Sequence, residues 1–212
     1  MKRSLFFVWI VGFCVFFLSS CLDYVQTITY KDGKYHNYFK ITVSKLLMEI
    51  AGEDSDSFVE EVCSNFQNEF PEYVSLRGVN TEIDAGVEIS FALSPKTATE
   101  EEKLFLPKIS GNKYFIPFIL AKELEGFAGA DSLDSNSDEM TLAFLSSAKI
   151  RIMVAKNIIP AIEVAYFEGT GGKNFAIPVF DYKNSFCLEI PFIVLFEKSL
   201  YNFDRIVVIK PS

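Results

Sequence analysis

Few side chains in this sequence could do covalent or acid–base chemistry. His36 is the one histidine. Paired with Cys63 or Cys187, its imidazole would take the thiol proton and leave a nucleophilic thiolate. Neither cysteine lies in a signature for that pairing, and Cys63 falls on the apolar side of an expected helix. The pattern therefore predicts an exposed strand histidine. Glu100-Glu101-Glu102 and Glu123-x-Glu125 offer neighbouring carboxylates, but glycoside hydrolysis needs two acids at a fixed separation across a cleft. A charge run is ordinarily a solvated face. Asp134-x-Asn136-x-Asp138 has the alternating oxygens of the first half of a calcium loop. The sixth position is then Glu139 where glycine is needed, and the twelfth is Leu145 where a glutamate closes the shell. Too few histidines and cysteines remain for a zinc site. Gly169-Thr170-Gly171-Gly172 lacks the Lys-Ser/Thr of a phosphate-binding loop and is expected to join two strands. There is no Gly-x-Ser-x-Gly elbow. The expectation is a protein that is not an enzyme, with no catalytic residue, metal or cofactor.

Cys21 is different, because the residues before it assign its thiol a reaction. Lys2 and Arg3 precede a 14-residue apolar run from Leu5 to Leu18. A helix crossing a membrane needs about 18 or more apolar residues. A shorter run behind positive charges has the dimensions of a signal-peptide core. The run closes with Leu18-Ser19-Ser20-Cys21, which resembles the lipobox of bacterial lipoproteins. That resemblance implies cleavage after Ser20, a diacylglyceryl thioether on Cys21 and an acylated amino group. Residues 1–20 are then the signal peptide, and residues 21–212 a single lipid-anchored domain. Each buried CH₂ contributes roughly 0.8 kcal/mol, so two or three acyl chains hold firmly where one would not. The expected location is the bacterial cell envelope, on a membrane without spanning it. Asp23 stands one place beyond the position at which an aspartate marks inner-membrane retention, so inner and outer membrane both remain open.

Removal of residues 1–20 leaves 192 residues and takes the net charge from −8 to −10, since Lys2 and Arg3 go with the leader. A chain of this length buries about 70% of its unfolded surface and folds without staples. An acidic surface repels phosphate backbones, which argues against nucleic acid as a partner. With Cys14 in the leader and Cys21 acylated, Cys63 and Cys187 remain. They form either one disulfide, in an oxidising space, or two buried free thiols. The 22 phenylalanines suit strands and a packed core, or the lining of an apolar cavity.

The elements that would position these residues follow from periodicity. Val25–Tyr30 reads as a strand, Asp32-Gly33 as a hairpin turn, and Tyr35–Val43 as the return strand. Tyr35, Asn37, Phe39, Ile41 and Val43 then share one face. A short helix is expected over Ser44–Ala51. A second follows, opened by a Ser57-x-x-Glu60 capping box, with Phe58, Val59, Val62, Cys63, Phe66 and Phe70 at helical spacing and Pro71 ending it. Val87–Leu93 alternates as a half-buried strand. Thr97–Lys103 reads as a charged turn or short helix. Tyr114–Leu120 reads as a strand that Pro117 places at an edge. Residues 126–139 are small, polar and acidic, a long loop. Further strands are expected at Lys149–Val154, Ile162–Phe167, Phe175–Phe180, Phe186–Phe196 and Arg205–Ile209. A hairpin, then one or two helices, then many strands argue an α+β fold with a mainly antiparallel sheet.

Two regions together resemble a family. Asp23-Tyr24, a strand, Lys31-Asp32-Gly33-Lys34 and a strand running into a helix form the first. Ile150-Arg-Ile-Met-Val-Ala-Lys-Asn-Ile-Ile-Pro160 and Leu188-Glu-Ile-Pro191 form the second. This pattern is similar to the LppM-like lipoproteins, over about 40% of the mature chain. The family's C-terminal transmembrane segment has no counterpart here, and the helical insert and acidic loop have none in the family. The resemblance implies an α+β domain with a groove that binds a lipid or glycolipid of the envelope, and no catalytic residues. The alternative function is a surface-exposed module for protein–protein interaction, with the 126–139 loop and any free sheet edge as candidate surfaces.

Overall fold

A computed structural model describes residues 22–69, 74–118, 148–196 and 200–211. The leader, Cys21, Pro71, Glu123, Glu125, the 126–139 segment and the rejected calcium-loop pattern from Asp134 to Leu145 lie outside the described residues.

Among the described residues twelve strands form two sheets. In chain order they are β1 (Leu22–Lys31), β2 (Lys34–Ser44), β3 (Ser75–Asn80), β4 (Asp84–Leu93), β5 (Lys108–Ser110), β6 (Lys113–Pro117), β7 (Lys149–Ala155), β8 (Val164–Phe167), β9 (Phe175–Ala176), β10 (Val179–Asp181), β11 (Ser185–Pro191) and β12 (Arg205–Ile209). Two helices, α1 (Lys45–Ala51) and α2 (Ser55–Glu69), lie between β2 and β3. The seven-stranded sheet runs β10-β11-β7-β1-β2-β4-β3, and the five-stranded sheet runs β5-β6-β12-β8-β9. All pairings are antiparallel except that of β1 with β7, which is parallel, with Asp23 opposite Lys149 and Ile28 opposite Val154. The chain is thus a β-rich α+β fold with mainly antiparallel sheets.

Alternation places the core. Tyr24, Gln26 and Ile28 of β1 point to one face, with Ile150, Ile152 and Val154 of β7 and Leu188 and Ile190 of β11 beside them, all nearly or fully buried. The five-stranded sheet meets this face with Ile116, Ala165, Phe167, Ile206 and Val208. Phe167 is packed between Phe118 and Phe203, at 5.7 and 4.9 Å between ring centroids. Asp32 and Gly33 turn the chain between β1 and β2 with φ of 52° and 77°, a backbone region glycine enters freely and aspartate tolerates.

The helix α2 packs on the β3 and β4 flank of the same inner face. Gly78 permits this. A Cβ there would stand 2.6 Å from Val59 Cγ1 and 3.5 Å from Cys63 Sγ, so any side chain would push the helix off the sheet.

The structure corrects several element boundaries. Asp54, not Ser57, opens α2: its carboxylate accepts the Ser57 N–H at 2.9 Å, and its carbonyl takes the Phe58 N–H. The Ser57-x-x-Glu60 box therefore lies inside the helix. The expected strand Phe175–Phe180 breaks at Ile177-Pro178, where the chain leaves one sheet for the other. The expected Phe186–Phe196 strand ends at Pro191 and continues as a 3₁₀ turn, Phe192–Phe196. Pro117 is not on an edge strand, since β6 lies between β5 and β12. It is tolerated because β5 pairs only as far as Phe115. Within Thr97–Lys103, helical turns begin only at Glu102, in a 3₁₀ segment running to Phe105. That segment carries a reciprocal cap: Thr99 N–H donates to Glu102 Oε2 at 2.7 Å, and Glu102 N–H to Thr99 Oγ1 at 3.2 Å.

Candidate functional site

The residues singled out for chemistry are not brought together. His36 is exposed on the outer face of the seven-stranded sheet, opposite Thr29 and Ala92. Cys63 is on α2, against the inner face. Cys187 is buried on the outer side of β11, three strands from β2, which at about 4.8 Å per strand is some 14 Å. Neither thiol reaches the imidazole. Both cysteines are free, on opposite faces of the sheet, so the disulfide alternative does not hold. Burial pushes both thiols above the ordinary cysteine value, and Glu189 adds to this at Cys187. A thiol held protonated is a poor nucleophile. Of the Glu100–Glu102 run, Glu102 is engaged in its cap and Glu100 pairs with Lys103. Among the described residues no three His, Cys, Asp or Glu side chains cluster as a metal site, and no helix is long and apolar enough to cross a membrane.

A groove of about 340 Å³ lies on the outer side of the five-stranded sheet. Phe115 of β6 and Val207 of β12 sit side by side as its floor, since they are register partners. Its walls are Lys108, Arg205, Glu168, Asp204 and Asn202. These come from three separate parts of the chain. Backbone bonds fix the walls: Asn202 N–H donates to the Glu168 carbonyl at 2.8 Å, and Asp204 N–H to Asn202 Oδ1 at 2.9 Å. Arg205 Nη1 donates to the Leu106 carbonyl at 3.3 Å, which orients the guanidinium along one wall. Two cations, two carboxylates and an amide around a small apolar floor can hold a ligand that carries both charges and hydrogen-bonding groups. The set has no histidine, thiol or hydroxyl nucleophile.

The outer face of the seven-stranded sheet carries charge pairs across its strands. Arg151 meets Asp23 at 3.1 Å and Lys149 meets Glu189 at 2.5 Å. Glu88 accepts from Arg77 and Tyr38. Partial burial raises the Glu88 carboxyl, but the hydrogen bonds from Arg77 and Tyr38, with the Arg77 and Lys40 charges, outweigh it and leave it below the usual value. Burial and the bond to Glu88 push Tyr38 up to about 12.

Two buried amides are not surface features. Gln26 Nε2 donates to the Pro117 carbonyl at 2.8 Å, tying the two sheets together, and Tyr24 Oη donates to Gln26 Oε1 at 3.4 Å. Asn37 is as deeply buried, on the same inner face opposite Ile28 and Phe91, and neither of its amide atoms has a partner among the described residues. The alternation of β2 had placed Asn37 on this face. Nothing in the sequence marked the groove, whose members are scattered from residue 108 to residue 207. No family model, no characterised protein and no solved structure matches this chain.

Proposed function

We propose that the mature chain is a non-catalytic domain of the bacterial envelope, anchored by acyl chains on Cys21, that binds a protein or peptide partner through the groove on the five-stranded sheet. In this reading the end of the seven-stranded sheet that holds Leu22, Val43 and the start of α1 is the membrane-proximal part, because β1 starts one residue beyond Cys21. The observation that carries the binding assignment is the groove's charge pattern. Lys108 and Arg205 stand with Glu168 and Asp204 over Phe115 and Val207. A polypeptide offers both charges, amide groups and small apolar side chains to such a surface. Acyl chains fit a mostly apolar pocket instead.

A photo-crosslinking residue in place of Phe115, in cells making the full chain, tests this. One discrete protein adduct, lost on Lys108→Glu, supports the reading. Adducts only with lipid, or none, overturn it.

A lipid or glycolipid ligand is the second reading. The observation in its favour is Asn37, an unpaired amide on an inner face that also carries Phe39, Phe91 and Tyr35. A bound headgroup would give that amide a partner. Native mass spectrometry with identification of extracted lipid separates the two, since a stoichiometric lipid beyond the anchor would favour the second.

A further inference from the structure

The two ends of the seven-stranded sheet differ in what they expose. The end that holds Leu22, the first residue of β1, also holds the last residue of β2 and the first of β4. Leu22 is opposite Val43, and Ser44 is opposite Asp84. Two segments project beyond the strands at this end: the start of α1 at Lys45, and the turn Thr81–Ile83 joining β3 to β4. They are fastened together, since Lys45 N–H donates to the Ile83 carbonyl at 2.8 Å. The turn is itself closed. Thr81 N–H donates to the Asp84 carbonyl at 2.8 Å, and the Thr81 hydroxyl accepts Asp84 N–H at 2.9 Å and Ile83 N–H at 3.3 Å.

This fixed platform carries Ile83 at 70% exposure and Leu46 at 56%, the highest values for large aliphatic side chains among the described residues. Turn positions of this kind favour Gly, Asn, Asp and Ser, and an isoleucine there buries little within the fold. Single exposed aliphatics are common and carry no meaning alone. The position of this pair does: the chain leaves this same end from Leu22 directly into Cys21.

We propose that Ile83 and Leu46 form an apolar foot that enters the interfacial layer of the membrane holding the anchor, so that the strands stand up from the bilayer and the Asp32-Gly33 turn faces away. The proposal rests on the reading of Cys21 as lipidated. Glu82 and Asp84 flank Ile83, and Glu49 and Glu53 follow Leu46, with Lys45 the cation beside them. That acidic surround fits a zwitterionic phospholipid surface rather than an anionic one. Apolar side chains lodged at headgroup depth with charges kept in water are the ordinary pattern of interfacial binding.

The one tryptophan of the sequence is Trp9, in the leader, so the processed chain has none. Ile83→Trp therefore places a single indole at the foot, and Lys34→Trp places one at the far end of β2, about 33 Å away for eleven residues of strand. Each full-length variant is processed in bacteria and reconstituted in phosphatidylcholine vesicles bearing bromines on the acyl chains. The expected result is about twofold quenching of the indole in the Ile83→Trp protein and none in the Lys34→Trp protein. Adding Leu46→Asp to the Ile83→Trp protein weakens the quenching. If intact mass shows the diacylglyceryl adduct and the vesicles float with the protein, yet the Ile83→Trp indole is unquenched, the foot is overturned and the anchor stands. If the adduct is missing, the anchor reading fails and the foot fails with it.

Discussion

The two faces of the seven-stranded sheet are made from the same strands, one residue apart, and are held by different forces. On the inner face Ile28, Ile150, Ile152, Leu188 and Ile190 have no exposure at all, and packing against the second sheet dominates. On the outer face the half-exposed Arg151 and Lys149 pair across strands with the less exposed Asp23 and Glu189. Apolar burial contributes about 1.5–3 kcal/mol per large side chain, whereas an exposed ion pair contributes about 0–1 kcal/mol. The difference teaches that the inner face holds the fold together, while the outer face fixes little beyond register and solubility and can vary.

Substitutions sharpen that contrast. Leu188→Ala removes a fully buried side chain flanked by Ile152 and Val179 and should cost about 2–5 kcal/mol in denaturant unfolding. Thr27→Ala, one strand position from the core on the outer face, should stay within about 0.5 kcal/mol. Equal losses would break the comparison.

The next largest effect is expected at Gln26. Gln26→Leu leaves the Pro117 carbonyl without its donor and should cost about 1–3 kcal/mol. Asn37→Leu tests the opposite sign. Its amide has no partner to lose, so replacement by an apolar side chain should stabilise by about 1 kcal/mol, read as a raised urea midpoint. A loss of stability there would show that the amide is satisfied in solution, as it would be by a bound polar ligand.

The smallest effect is on the outer face, and it depends on pH. Glu88 has a lowered carboxyl pKa in the fold, so folding favours its ionised form. That contribution is present above the unfolded carboxylate value and is lost as pH falls through the lowered folded one. Glu88→Gln should therefore cost no more than about 1 kcal/mol at neutral pH and flatten the acid limb of a stability–pH curve. Tyr38 has the reverse sign. Its raised pKa leaves its contribution intact below 10 and removes it as pH rises toward about 12. An acid limb unchanged in Glu88→Gln would show that other carboxylates set it.

What was legible in the sequence was local. Clean alternation marked Val87–Leu93 and Lys149–Val154, and 3.6-residue spacing marked the helix that packs by Val59 and Cys63. β3 went unseen because Arg77-Gly78 interrupts any alternation, and its inner face is covered by a helix rather than by a strand pattern of its own. Prolines at 178 and 191 end strands that composition alone would extend. The parallel pairing of β1 with β7 joins segments more than a hundred residues apart, and no short-range pattern encodes it. The groove was illegible for the same reason, since Lys108, Glu168 and Asn202 become neighbours only when β6, β8 and β12 pair.

The place of β1 within the sheet has a mechanical consequence. Its first residue, Leu22, is where the chain toward Cys21 leaves the described fold, and β1 is hydrogen-bonded to β2 on one side and to β7 on the other. A pull through that end runs along the strand, across the direction of both ladders, and so loads many hydrogen bonds at once instead of opening them one after another. A tether joined to an edge strand would let the domain peel away under drag; the anchor proposed at Cys21 would instead transmit force to the centre of the sheet.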